Sequence, residues 1–184
     1  MDRPVSKATF PEFSGDELPG DRALRLGAER LQRAVSELPL RYAPFFGQLS
    51  SLWAVPEARV RSELTRAKNP RSWSRTLLRG LRTFDIDVSG DGAEPGQRAR
   101  LMRFEPGARL PKHQHRGREQ VLVLEGAYVD GTGLEVHAGQ EQSMAEGSEH
   151  ELYIIGGAPC VAAVSERGIA FSGPWLRWVN PLLR

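Results

Sequence analysis

Near residue 82 the hydrophobic period of this chain changes from helical to two, and that change constrains the fold more than any other feature. From residue 83 onward apolar and polar residues alternate in short runs, beginning with Phe84, Ile86 and Val88 and resuming across residues 100–104. Further candidate strands cover residues 119–124, 127–129, 134–137, 150–155 and 160–165, together with the segment after Gly139. Gly126, Gly131, Gly133, Gly147, Gly156 and Gly157 punctuate them, and glycine supplies the backbone freedom that tight turns need. Short antiparallel strands at this spacing are expected to close into a barrel or jelly roll, because closure hides their unpaired edges.

The preceding residues read as helices. Asp21 is a candidate N-cap for a helix carrying Leu24, Ala28, Leu31, Val35 and Leu38 on one face, closed by Pro39. Tyr42, Phe45, Phe46, Leu49, Leu52 and Trp53 form a second apolar face, with Pro44 tolerated only in its first turn. Pro56 opens a third helix with Val60, Leu64 and Ala67 inward, and Asn69-Pro70 ends it. The expected architecture is α+β: a helical domain over residues 1–82, then an all-β domain over residues 83–184. Charge supports a boundary there, since residues 1–82 hold 15 Lys and Arg against 9 Asp and Glu, and residues 83–184 hold 10 against 14.

Composition narrows the chemistry. The 184 residues carry a formal charge of +2, and 40% are hydrophobic, enough for a folded core and against a disordered chain. One cysteine, Cys160, excludes an internal disulfide and a thiolate zinc ribbon, so any metal must use histidine or carboxylate. In its apolar run Cys160 reads as a small buried hydrophobe rather than a reactive thiol. No apolar stretch approaches membrane-spanning length and the first residues lack a signal-like apolar core, so the expected location is cytoplasmic. The apolar segment over residues 174–183 is expected to pack on the barrel or across a homodimer interface.

All four histidines fall between His113 and His150. On an extended strand His113 and His115 share a face, and a tight turn at Gly117 can bring Glu119 back from the next strand. His150, at the start of a later strand, completes three imidazoles and one carboxylate. That donor set suits a divalent first-row metal. His137, beside the turn at Gly139, reads as an exposed strand residue and is not counted. Same-face neighbours of the ligands, Val121 and Val123 on one strand, Leu152 and Ile154 on another, are expected to line an apolar pocket, with no further inward acid, base or arginine.

The spacing Gly107-x5-His113-x-His115-x3-Glu119-x6-Gly126, followed by Gly139-x5-Ala145-x-Gly147-x2-His150, resembles the two cupin motifs. Ala145 and Ile154 stand where the second motif usually has proline and asparagine. Residues 97–165 are similar to the ChrR-like cupin domain of anti-sigma factors. That resemblance implies a double-stranded β-helix, a zinc ion held through His113, His115, Glu119 and His150, a sigma factor as partner of the N-terminal helices, and a response to an oxidant such as singlet oxygen. The helical domain of that family carries a His/Cys zinc signature, and residues 1–82 contain neither residue type.

The expected function is therefore a metal-binding regulator or sensor. The alternative is a metal-dependent dioxygenase or isomerase, in which the same four ligands would hold iron, manganese or nickel and a small, largely apolar molecule would occupy the barrel. A third reading is DNA binding through residues 49–68, which superficially resemble a helix-turn-helix flanked by arginines. The spread of Arg59, Arg61, Arg66, Lys68 and Arg71 along the segment argues for an ordinary solvated or domain-facing surface instead.

Overall fold

The computed structural model describes residues 41–89 and 94–171. The expected helix beginning at Asp21 and the apolar segment over 174–183 lie outside the described residues. A 3-10 turn, Ala43–Phe45, leads directly into helix α1 (Phe46–Trp53), with Pro44 in the opening turn where its missing N–H costs nothing. Ala54 adopts the left-handed conformation at the helix end, and Pro56 caps helix α2 (Glu57–Ala67). Asn69 accepts a hydrogen bond from the Arg71 N–H and starts the 3-10 turn Pro70–Ser72. No helix among the described residues is long and apolar enough to cross a membrane.

Eleven strands follow among the described residues. They are β1 (Ser74–Arg75), β2 (Leu81–Ile86), β3 (Arg98–Phe104), β4 (Arg109–His115), β5 (Glu119–Glu125), β6 (Ala127–Asp130), β7 (Glu135–His137), β8 (Glu141–Met144), β9 (Glu149–Ile155), β10 (Cys160–Glu166) and β11 (Ile169–Phe171). They form a six-stranded sheet in the order β1-β2-β3-β10-β5-β8 and a five-stranded sheet in the order β11-β4-β9-β6-β7, with every pairing antiparallel. The fold is α+β with a cupin-like β-sandwich, as expected.

Two apolar clusters flank the six-stranded sheet. Between the sheets lie Leu81, Phe104, Leu110, Val121, Val123, Tyr128, Leu152, Ile154, Cys160, Ala162, Val164 and Phe171. On the outer face, Phe84, Ile86, Leu101, Leu122, Leu124, Val161 and Ala163 pack against Phe46, Leu49, Leu52, Trp53, Val60 and Leu64 of the helices. Strand alternation explains the division: residues 121 and 123 face one cluster, 122 and 124 the other. Residue 82, where the period changes, therefore falls inside β2, and the two helices share a hydrophobic cluster with the sheet. Trp53 is fully buried and its Nε1 donates to the Val164 carbonyl at 3.2 Å. Tyr42 Oη donates to Glu125 at 2.5 Å.

Candidate metal centre

Register builds the site. In the β4–β9 pairing His113 stands directly opposite His150, and directly opposed side chains have Cβ atoms about 4.5–5.5 Å apart. His115 is two residues further along β4 and shares that face. The end of β4 is fastened to the turn before β9, since the His115 N–H donates to the Ser148 carbonyl at 3.0 Å and the Gly147 N–H donates to the His115 carbonyl at 2.9 Å. Glu119 enters from β5 in the opposite sheet. The turn between them is tight: a Cβ added at Gly117 would come within 2.8 Å of the Arg167 side chain. Three histidines from one sheet thus meet a glutamate from the other.

One donor atom from each of His113, His115, Glu119 and His150 lies within 4.8 Å of every other. All four side chains are buried. His113 Nδ1 lies 2.9 Å from the Pro111 carbonyl, and the bond requires its proton there, which leaves Nε2 as a lone pair. Nε2 faces His150 Nε2 at 3.1 Å. Burial pushes the His113 imidazole down to about 4 and lowers that of His150, so both rings are neutral near pH 7 and their nitrogens are free to donate electron pairs. His115 Nδ1 lies 3.5 Å from Glu119 Oε2, and both ring nitrogens of His115 and Nδ1 of His150 have no hydrogen-bond partner.

Buried polar atoms without partners cost roughly 1–3 kcal/mol each. Here they cluster on the imidazoles of His115 and His150 beside the Glu119 carboxyl group, and with bonds of about 2.0–2.2 Å one first-row ion spans such a set. The donor set fits a divalent metal, with the Nδ1 bond of His113 fixing its tautomer and ring orientation.

Val121, Val123, Leu152 and Ile154 are all buried in the inter-sheet cluster that surrounds the four ligands. Val121 and Leu152 line a cavity of about 50 Å³ beside Glu119. Three polar groups share that cavity, contrary to the expectation that no further acid or arginine points inward: Glu166, Arg100 and Tyr128. Glu166 is buried, 3.2 Å from Arg100, and burial raises its carboxyl above the usual range despite that arginine. It occupies the last position of β10, where an acid ordinarily reads as the exposed start of a turn. Strand parity was its one signal, since residues 160, 162 and 164 face inward. Sequence reasoning also missed Phe171, which stands opposite His113 across β11 and β4 and meets its ring edge-on, centroids 6.3 Å apart.

His137 is exposed and its ring lies 3.1 Å from Glu135, apart from the cluster. Cys160 is fully buried and its thiol is pushed up to about 12, chiefly by burial. In the stretch 49–68, Leu49, Leu52, Trp53, Val60 and Leu64 face the sheet. Its arginines have partners within the chain: Arg59 lies 3.8 Å from Asp87, Arg61 sits over the Phe46 ring, and Arg66 pairs with Glu63.

A two-sheet sandwich closed around three histidines and one glutamate on the two motifs is a cupin domain. Residues 79–169 match the family model of the ChrR cupin-like domain, and the chain carries that domain. A chain of the crystal structure of Rhodobacter sphaeroides SigE in complex with the anti-sigma ChrR is 27% identical, with a TM-score of 0.50, covering 81% of each chain. An RmlC-like cupin protein from Ralstonia eutropha JMP134 is similar at 11% identity and a TM-score of 0.49, covering 58% of this chain and 71% of that one. Recombinant oxalate oxidase in complex with glycolate is similar at 22% identity and a TM-score of 0.42, covering 50% of this chain. The chain spans 55% of the length of that oxidase. No curated protein matches.

Proposed function

We propose that this protein is a metal-dependent regulator of the ChrR type, holding one zinc ion through His113, His115, Glu119 and His150 and engaging a sigma factor through the helical region of residues 1–82. The observation that carries this reading is the reach of the similarity to the SigE–ChrR structure. It covers 81% of this chain, whereas residues 79–169 make up about half. The size of the inner cavity agrees: about 50 Å³ admits a molecule of a few atoms, far below the roughly 300–1,000 Å³ of sites for larger substrates. The zinc ion, when bound, supplies a fixed positive centre that neutralises Glu119 and gives the buried imidazoles partners. Pro111 holds His113 in the donating tautomer and Phe171 walls its ring from solvent.

The experiment is metal analysis of protein purified without tag or added metal, beside a His113→Ala/His150→Ala variant, followed by titration of each with sigma factors of the same genome. One zinc per chain, absent from the variant, with sigma affinity that depends on the metal, is the expected result. The same preparation analysed by light scattering reads the expected homodimer.

A metal-dependent enzyme is the second reading, favoured by Glu166. A buried acid whose carboxyl is raised above the usual range, in the cavity it shares with Glu119, is suited to exchange a proton with a molecule bound there. Iron or manganese in the purified protein, with oxygen uptake on small substrates that His150→Ala abolishes, would put this reading first.

A further inference from the structure

A second concavity, of about 530 Å³, lies on the outer face of the six-stranded sheet, the face opposite the histidines. Its floor is apolar: Leu64 from α2, Leu101 from β3 and Val161 from β10. Its walls carry four cations, Arg41, Lys68, Arg82 and Arg103, against one carboxylate, Glu105. Arg82 and Arg103 alternate along their strands with Leu81 and Phe104, which face the inter-sheet cluster, so both guanidinium groups project to the helix side.

The arginines are arranged by register. Arg75 stands opposite Arg82 in the β1–β2 pairing, and Arg82 stands opposite Arg103 in the β2–β3 pairing. Like charges directly opposed on one sheet face destabilise it, and here three arginines do so in a row. Arg103 has Glu105 at 3.3 Å, and Arg41 is held by Glu125 at 2.6 Å. Arg82, between Arg75 and Arg103, has no carboxylate partner among the described residues. Trp73 lines the same groove. Its Nε1 donates to the Ala67 carbonyl at 2.8 Å and its ring is tilted against Phe84, centroids 5.8 Å apart, and the two contacts fix it in the wall.

We propose that this groove binds an amphiphilic organic anion, whose carboxylate, sulfonate or phosphate group sits against Arg82 and Arg103 and whose apolar or aromatic body lies on Leu64, Leu101, Val161 and Trp73. The volume falls within the range of small-molecule sites. The arginine row extends over two strand spacings, about 10 Å, which matches one or two negative groups rather than the run of phosphates on a nucleic-acid strand. The groove stands apart from the metal centre, on the other side of the sheet, and its arginines and apolar floor are in place without a metal.

The test is calorimetric titration of the full chain with 8-anilinonaphthalene-1-sulfonate, a probe of this chemistry, on wild type, Arg82→Gln, Arg103→Gln and Leu134→Ser, the last a distant exposed control. One saturable site per chain is expected, weakened about fivefold or more by either arginine substitution, as loss of a charge-assisted hydrogen bond implies. Leu134→Ser should leave it unchanged. Raising ionic strength from about 0.05 M to about 0.3 M should weaken it too, because the cations are solvent-screened. Wild-type melting temperatures in all variants exclude binding to loosened protein. The proposal is overturned if wild type shows no saturable site, if both arginine variants bind like wild type, or if an acidic peptide or a single-stranded oligonucleotide displaces the probe at concentrations below the probe's own dissociation constant.

Discussion

Replacing His113 by alanine removes both a ligand and the ring oriented by the Pro111 carbonyl, and metal affinity should fall by at least about tenfold, the scale seen even when only a group supporting a ligand is lost. Metal content after dialysis reads the effect. Glu166 belongs to the same scale but acts through protons. Burial raises its folded-state pKa, so the folded protein binds more protons than the unfolded chain between the ordinary glutamate value and the raised one. Stability therefore falls as pH rises through that window. Urea unfolding from about pH 4 to 8 should show this slope in wild type and a flatter one in Glu166→Gln, and identical slopes would remove the assignment. Cys160, with its thiol pushed up to about 12, should resist alkylation in the folded protein and react freely in denaturant. The convergence of His113, His115, Glu119 and His150 was legible because a metal site demands such residue types at fixed spacing. Glu166 was not, since strand parity alone marks an acid at the end of a strand as facing inward.

At the scale of elements, the helices are fastened by side chains that bridge to the sheet. Trp53→Ala should cost about 3–5 kcal/mol in denaturant unfolding, from the lost ring volume and the lost bond to the Val164 carbonyl. Gly126 allows β5 to pass into β6. It sits at φ +67°, and a Cβ there would meet the Pro159 carbonyl oxygen at 2.5 Å. Gly126→Ala should destabilise by about 2 kcal/mol or more, combining left-handed strain with a backbone clash. The helices over 46–67 and nine of the strands could be read from apolar patterning, glycine punctuation and the histidine spacing together. Strand β1 is two residues long and too short to show a pattern, and β11, Ile169-Ala170-Phe171, has no polar residue between its apolar ones. Period also could not say that Phe84, Ile86 and Leu101 face the helices rather than the barrel interior, because alternation separates two faces without saying what covers each.

Among the described residues, the six-stranded sheet lies between the candidate metal centre and the helices. Glu119, Val121 and Val123 face the interior while Leu122 and Leu124 of the same strand contact the helical cluster. Removing metal leaves unpartnered nitrogens and a buried carboxylate under β5, and hydrogen exchange should quicken in β4, β5 and β9. Under the regulatory reading it should quicken in α1 as well. Unchanged exchange in α1 on metal removal would separate the site from the helices and count against that reading.

The same sheet decides how this protein can vary. Along β9, burial alternates from Glu149 to Ile154, and a library of substitutions there should tolerate polar residues at every second position. Every residue of β10 is buried, one face against the opposing sheet and the other against the helices. A mutational scan across Cys160–Glu166 should therefore lack the two-residue rhythm of an ordinary strand, leaving this segment the part of the sequence least able to drift.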